Sequence, residues 1–208
     1  MIKLVIFDLD GVLVDVKNIH YNSLNDALPE EYKLTWSEHL SIYDGLKTYQ
    51  KLNMLSETKG LPEDLHKVVW DKKQKITLSK LKELKPNNDL ISLMELLSIE
   101  GYKIAVGSNS VRKTVLTVLS KLGIIEYMDY ITSNEDVQNA KPHPEMYWRI
   151  MSKIGYLPEE TLIIEDSPYG LLAASRSKAH VLRVKNTKEV TKLNIHEKIN
   201  KIMNKGIN

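Results

Sequence analysis

Short runs of consecutive apolar residues alternate along this chain with longer stretches in which apolar residues recur every three or four positions. The runs are short and end at polar or turn residues, so they predict strands buried on both faces. The periodic stretches predict amphipathic helices. Residues 3–8 (KLVIFD), Lys103–Gly107 (KIAVG), 127–132, 161–164 (TLII) and 180–184 are the strand candidates. Val111, Val115, Leu119 and Leu122 form one helical stripe, and Met146, Tyr147, Ile150, Met151 and Ile154 form another. Both stripes read as helix faces packed on a sheet. Alternation of this kind predicts a parallel sheet with helices on both faces.

Residues 16–84 break the alternation. They read as helices in series over about 17–28, 36–43, 45–56 and 62–82, punctuated by Pro29 and by Gly60-Leu61-Pro62. A helical block between the first strand and its continuation predicts an inserted cap. The expected organisation is therefore an α/β, Rossmann-like core over 1–15 and 85–208, with an all-helical cap over 16–84.

Composition narrows the function classes. The chain has 208 residues, 42% hydrophobic and 27% charged, with 29 Lys+Arg against 27 Asp+Glu. A formal charge of +2 leaves no electrostatic footprint for nucleic acid. The cap segment, with 11 Lys and 10 acids, is no polyanion clamp. The segment 185–208, with 6 Lys and 2 Glu, reads as a solvated last helix rather than a partner site. The absence of cysteine removes disulfides, thiol nucleophiles, zinc–cysteine sites and iron–sulfur clusters together. No apolar run approaches the roughly 18 residues of a membrane span. The opening MIKLVIFDLDG resembles a signal peptide only superficially, because two Asp interrupt it and no small-residue cleavage site follows. A cytoplasmic protein is expected, with no nucleic-acid or membrane partner.

The chemistry concentrates at four strand ends. Asp8-Leu9-Asp10-Gly11-Val12 closes the first strand, and in open parallel sheets ligands bind beyond the carboxyl ends of the strands. Two carboxylates one residue apart repel unless a cation or a shared proton relieves them. A hard ion such as Mg²⁺ takes one or two carboxylates plus substrate phosphate oxygens. Gly107-Ser108-Asn109-Ser110 follows KIAV and is expected to open a helix, where a hydroxyl and backbone N–H groups hold an anion; plain N-capping by Ser108 is compatible with this. Ala140-Lys141-Pro142-His143-Pro144 puts a lysine in a stiff loop before a helix, where a solvated lysine is the alternative. Ile163-Ile164-Glu165-Asp166-Ser167-Pro168 ends a strand in two acids and starts a helix with Pro168 in its first turn. There, Asp166 or Ser167 also fits a simple N-cap.

Acid–acid, hydroxyl, lysine and acid–acid, in that order, resemble the haloacid dehalogenase-like hydrolase superfamily. Its four motifs stand here as DLDGV, GSNS, KPHP and EDSPYG. The helical insert is similar to the superfamily's small alpha-helical cap. DGVLVD, His20 and the EDS motif resemble most the beta-phosphoglucomutase-like phosphatases. The resemblance implies Asp8 as nucleophile forming an aspartyl-phosphate and Asp10 as general acid and base. It implies Mg²⁺ held by an Asp8 oxygen, the Asp10 carbonyl and Asp166, with Glu165 as ligand or behind one. Ser108 and Lys141 would hold the phosphoryl oxygens, with Asn109 assisting. The expected substrate is a small phosphorylated metabolite, and the expected assembly a monomer or weak dimer.

The cap would exclude water and read the leaving group. His20 sits where related sequences place a site-facing histidine, and a surface or packing role is equally open. Asp44-Gly45-Leu46-Lys47-Thr48 reads as a substrate-facing bend, with Gly45, Lys47 and Thr48 as contacts, or as a turn with a helix start. Lys51, Lys72 and Lys73 could reach a second anion or lie on a solvated face. Trp36, Trp70 and Trp148 read as packing residues. A sugar-phosphate mutase is the alternative activity, weakened by Val16 after DGVLVD and by the lack of an Arg fork in the Gly45–Lys51 bend. A binding-only relative is the further alternative, against which every motif acid is present. A phosphonate-cleaving relative would need a distinguished cap lysine, and none stands out.

Overall fold

The computed structural model describes residues 1–205; the last three residues of the segment read as a final helix lie outside it. Five strands form one parallel sheet: β1 (Leu4–Phe7), β2 (Lys103–Gly107), β3 (Tyr130–Thr132), β4 (Thr161–Glu165) and β5 (His180–Arg183), in the order β3-β2-β1-β4-β5. Every position of β1 and β4 is buried, which is why these strands read as unbroken apolar runs. Their side chains still alternate between two cores. Val5 and Phe7 join Ile104, Val106, Leu162 and Ile164 beneath α5 (Asn88–Ile99), α6 (Arg112–Leu122) and α9 (Lys192–Lys205). Leu4 and Ile6 face Ala105 and Ile163 on the other side. Here α7 (Glu145–Ile154) contributes Met146, Tyr147 and Ile150, and α8 (Pro168–Arg176) contributes Ala173 and Ala174. Fully burying each large aliphatic chain contributes about 1.5–3 kcal/mol.

The expected α/β core is thus observed, with differences at the element ends. The strand anticipated over 127–132 begins only at Tyr130, because Ile125–Tyr127 form a 3-10 turn. The segment after β2 does not open a helix at Ser108: α6 starts at Arg112, after an extended Val111.

The inserted helices are α1 (Lys17–Asn25), α2 (Trp36–Glu38), α3 (Thr48–Lys59) and α4 (His66–Leu81). The single helix expected over 36–43 is a short α2 with a capping box at Thr35, followed by a π-turn at His39–Tyr43. Lys47 is extended, so α3 begins later than read, and left-handed Gly60 (φ 75°) stops it. These helices enclose their own apolar cluster, including Leu24, Leu28, Leu34, Leu52, Leu55 and Val69. The face of α4 turned inward is mixed: Val69 and Leu81 are buried beside Lys73, Gln74 and Thr77.

Chain order fixes where the site lies. The chain runs outward from β1 to β2 and β3, then returns to place β4 on the other flank of β1. The register pairs Phe7 with Val106 and with Ile164, so β1, β2 and β4 end level. The loops after β1 and β4 leave in opposite directions, which opens a crevice at this switch point.

Candidate active site

Asp8 follows β1 directly and is held in line by its N–H, which donates to the Ile164 carbonyl at 3.0 Å. Gly11 has φ +96°, and a Cβ there would overlap the Asp166 carboxylate. The glycine therefore allows both the sharp turn and the close approach of the β4 loop. Gly170, inside α8, serves the close approach alone: a Cβ there would overlap the Glu165 carboxylate.

Three of the four motif loops converge on one buried lysine. Lys141 Nζ donates to Asp8 Oδ1 and to Glu165 Oε1, both at 2.5 Å. Tyr147 donates its hydroxyl to Glu165 Oε1 at 2.7 Å, and the Asp166 N–H donates to Glu165 Oε2 at 3.1 Å. Glu165 therefore has both oxygens occupied. Asp166 presents Oδ2 to Lys17 at 3.0 Å, while its buried Oδ1 has no partner. One oxygen each from Asp8, Glu165 and Asp166 lie within 4.8 Å of one another. Burial pushes the Asp8 carboxyl well above its usual range, and the negative charge of Glu165 adds to the shift although Lys141 opposes it. Burial disfavours the Lys141 ammonium, but Asp8 and Glu165 overcome this and hold it protonated. Crowded carboxylates with an orphaned buried oxygen and an excess of negative charge fit a hard divalent cation such as Mg²⁺.

Asp10 is turned away from this cluster. Its Oδ2 accepts from Ser110 Oγ at 2.8 Å, and its Oδ1 faces His20 Nε2 at 3.4 Å, an ion-pair separation without hydrogen-bond geometry. Burial would raise the Asp10 pKa, but His20 and Ser110 outweigh it and the net direction is downward. His20 is lowered by burial and by Lys73, whose Nζ lies 3.4 Å from His20 Nδ1.

Ser108 is buried in the loop between β2 and α6, and its Oγ accepts from the Ser110 N–H at 3.0 Å. Asn109 ties loops together: its Nδ2 donates to the Gly45 carbonyl at 2.9 Å and the Lys141 carbonyl at 3.2 Å, and its Oδ1 accepts from the Lys141 N–H at 3.1 Å. These bonds position Lys141 and the cap bend, and Asn109, anticipated as a phosphate contact, also lines the cavity beneath the cap.

The core loops and the cap enclose a cavity of about 310 Å³. Asp8, Asp10, Ser108 and Lys141 line it from the core, and His20, Gly45, Lys47 and Thr48 from the cap. Lys51 and Lys73 also line it, whereas Lys72 does not. Trp70 stacks on Tyr49 with ring centroids 6.0 Å apart at the cavity wall. Trp36 and Trp148 are 38% and 47% exposed rather than packed inside. Sequence reading gave no role to Lys17, which bridges Asp166 and, at 3.4 Å, Asp44. It also treated Tyr147 as packing alone. Ser110 lay within the GSNS motif, which was the available signal for its contact with Asp10.

Residues 5–184 match the family model described as haloacid dehalogenase-like hydrolase. The chain belongs to the haloacid dehalogenase-like hydrolases. It is 26% identical over 182 residues to "Phosphorylated carbohydrates phosphatase" of Thermotoga maritima, covering 82% of this chain and 79% of that one. It is also 26% identical over 191 residues to "Pyrophosphatase PpaX" of Oceanobacillus iheyensis, covering 88% and 83%. Its fold matches the crystal structure of beta-phosphoglucomutase from Clostridium difficile with a TM-score of 0.85, at 24% identity over 98% of this chain and 99% of that one. Among the described residues, no helix is long and apolar enough to cross a membrane.

Proposed function

We propose that this chain is a Mg²⁺-dependent phosphatase of small phosphorylated metabolites, working through an aspartyl-phosphate on Asp8. The observation that carries the reading is the cluster of Asp8, Glu165 and Asp166 beside Lys141, with Asp8 and Lys141 lining the cavity beneath the cap. The phosphatase and pyrophosphatase names of the relatives support it. Asp8 Oδ attacks phosphorus as the ester P–O bond breaks, and the leaving oxygen takes a proton from Asp10. Water then attacks the phosphoryl group on Asp8, returning its proton to Asp10 and releasing phosphate and a free Asp8 carboxylate. Lys141 and Ser108 offset charge on the phosphoryl oxygens, and His20 and Ser110 orient Asp10. Asp8 and Asp166 would hold Mg²⁺, backed by Glu165, and the ion would supply positive charge against the phosphoryl oxygens and the attacking carboxylate. A cavity of about 310 Å³ lies at the low end of the roughly 300–1,000 Å³ of small-molecule sites, consistent with a small metabolite.

A chromogenic phosphate ester tests the reading. Turnover is expected with Mg²⁺, to be lost in EDTA, and to fall by roughly 10⁴ or more in Asp8→Asn, the scale of removing a covalent nucleophile. Turnover that survives both EDTA and the substitution overturns the mechanism. Incubation with glucose 1-phosphate separates hydrolysis from the mutase alternative: free phosphate is the expected product, and glucose 6-phosphate would mark a mutase.

A further inference from the structure

The two walls of the cavity treat positive charge differently. On the core side Lys141 is paired with Asp8 and Glu165, and at the junction of core and cap Lys17 of α1 is paired with Asp166 and Asp44. On the cap side, Lys51 of α3 and Lys73 of α4 line the same cavity and are each 8% exposed. The Lys51 ammonium makes no hydrogen bond or ion pair among the described residues, and the polar contact of the Lys73 ammonium is His20 rather than a carboxylate. Gln74, beside Lys73, lines the cavity with its Oε1 unpartnered. Burial pulls Lys51 down to about 8, and burial together with repulsion from Lys51 pulls Lys73 to about 7. Burying cations without a carboxylate partner is unfavourable. The arrangement becomes favourable once an anion enters between them.

We propose that Lys51 and Lys73 form an anion-binding subsite in the cap, selecting phosphate monoesters whose leaving group carries a second anionic group, a carboxylate or another phosphate. This rests on the phosphatase reading for the placement of the transferred phosphoryl group at Asp8, and it names the substrate class of that same site. With the phosphoryl group on the core floor, the leaving group points at the cap wall, where Lys51 and Lys73 have no carboxylate in contact and only the longer-range attraction of Asp10 and, for Lys51, Asp44. The small volume restricts that group to a few carbons.

The test uses three esters on one two-carbon skeleton: 2-hydroxyethyl phosphate, with a neutral leaving group; 2-phosphoglycolate, with a carboxylate; and ethane-1,2-diyl bisphosphate, with a second phosphate. With wild-type protein and Mg²⁺, kcat/KM for at least one anionic ester is expected to exceed that of the neutral ester by about tenfold or more, the scale of one hydrogen bond to a charged group. That ratio is expected to fall at least fivefold in Lys51→Met and in Lys73→Met, and the arm that wins identifies carboxylate or phosphate. Equal use of the three esters by wild type, or a ratio unchanged in both variants, overturns the subsite. Calorimetric titration of the three esters into Asp8→Asn reads the same preference without turnover. If no ester is hydrolysed, the phosphatase reading fails, and the titration still decides the subsite. Thermal unfolding separates a packing role: the Tm of each Met variant is expected to be unchanged or higher, and a lower Tm with an unchanged binding ratio counts against the proposal.

Discussion

On the core side of the cavity, Lys141 touches two carboxylates and is itself enclosed by the residues it serves. On the cap side, Lys51 and Lys73 are also buried and, among the described residues, touch none. The two regions line one cavity, so the difference comes from what each must do there. The core holds the groups that react, which must keep one geometry with or without substrate, and mutual pairing achieves that. The cap reads what arrives, and side chains already paired with each other would have little attraction left for a ligand.

Replacing the lysines in turn separates the two regions most strongly. Lys141→Ala leaves Asp8 and Glu165 unpaired in a buried site. It is expected to destabilise the protein by about 3–5 kcal/mol and to slow turnover by roughly 10²–10³, read by urea unfolding and a phosphate-release assay. The cap variant Lys51→Met, by contrast, is expected to unfold no more easily than wild type. If Lys141→Ala is as stable as wild type, the pairing that distinguishes the core has no energetic content.

A smaller effect tests the packing behind the core pair. Gly170→Ala places a methyl where the Glu165 carboxylate lies, so the carboxylate must move off Lys141 and Tyr147. An overpacking cost of about 1–3 kcal/mol is expected, with a loss of activity in the phosphate-release assay. The smallest effect lies in the cap's outer edge. Backbone hydrogen bonding at Thr35, with Lys59 beside it, holds Glu38 down to about 2. A carboxyl with a depressed folded pKa stabilises above its unfolded value of about 4.3. That contribution is lost as pH falls through about 2. The Tm difference between wild type and Glu38→Gln is therefore expected to be constant above about pH 5 and to shrink towards pH 2.

The sheet was legible because its strands are apolar at consecutive positions, and no amphipathic helix shows that pattern over so short a span. Three of the four motif stations were legible for the same reason, each lying within a residue or two of the end of such a run, whereas Lys141 stands nine residues past the end of β3. What the chain concealed depends on distance in space rather than in sequence. Tyr147 looks like any other member of an apolar stripe until the fold brings its hydroxyl to Glu165. Asn109 gives no sign in the sequence that Gly45 and Lys141 will meet it from two directions. The cap was the least legible part because its inward face is polar: Lys51, Lys73, Gln74 and Thr77 sit where periodicity expects aliphatic residues. The π-turn at His39–Tyr43 broke a helix that the pattern read as continuous.

Strand β1 is apolar at all of its positions, and all of them are buried. Burial alone therefore does little to distinguish one alignment of β1 from the next. A slip of one residue would carry Asp8 about 3.3 Å along the strand, off its lysine and among the aliphatic chains of the sheet. The acid that has to meet phosphorus thus also acts as a detent, and the strand stops sliding where its reactive end finds its cation.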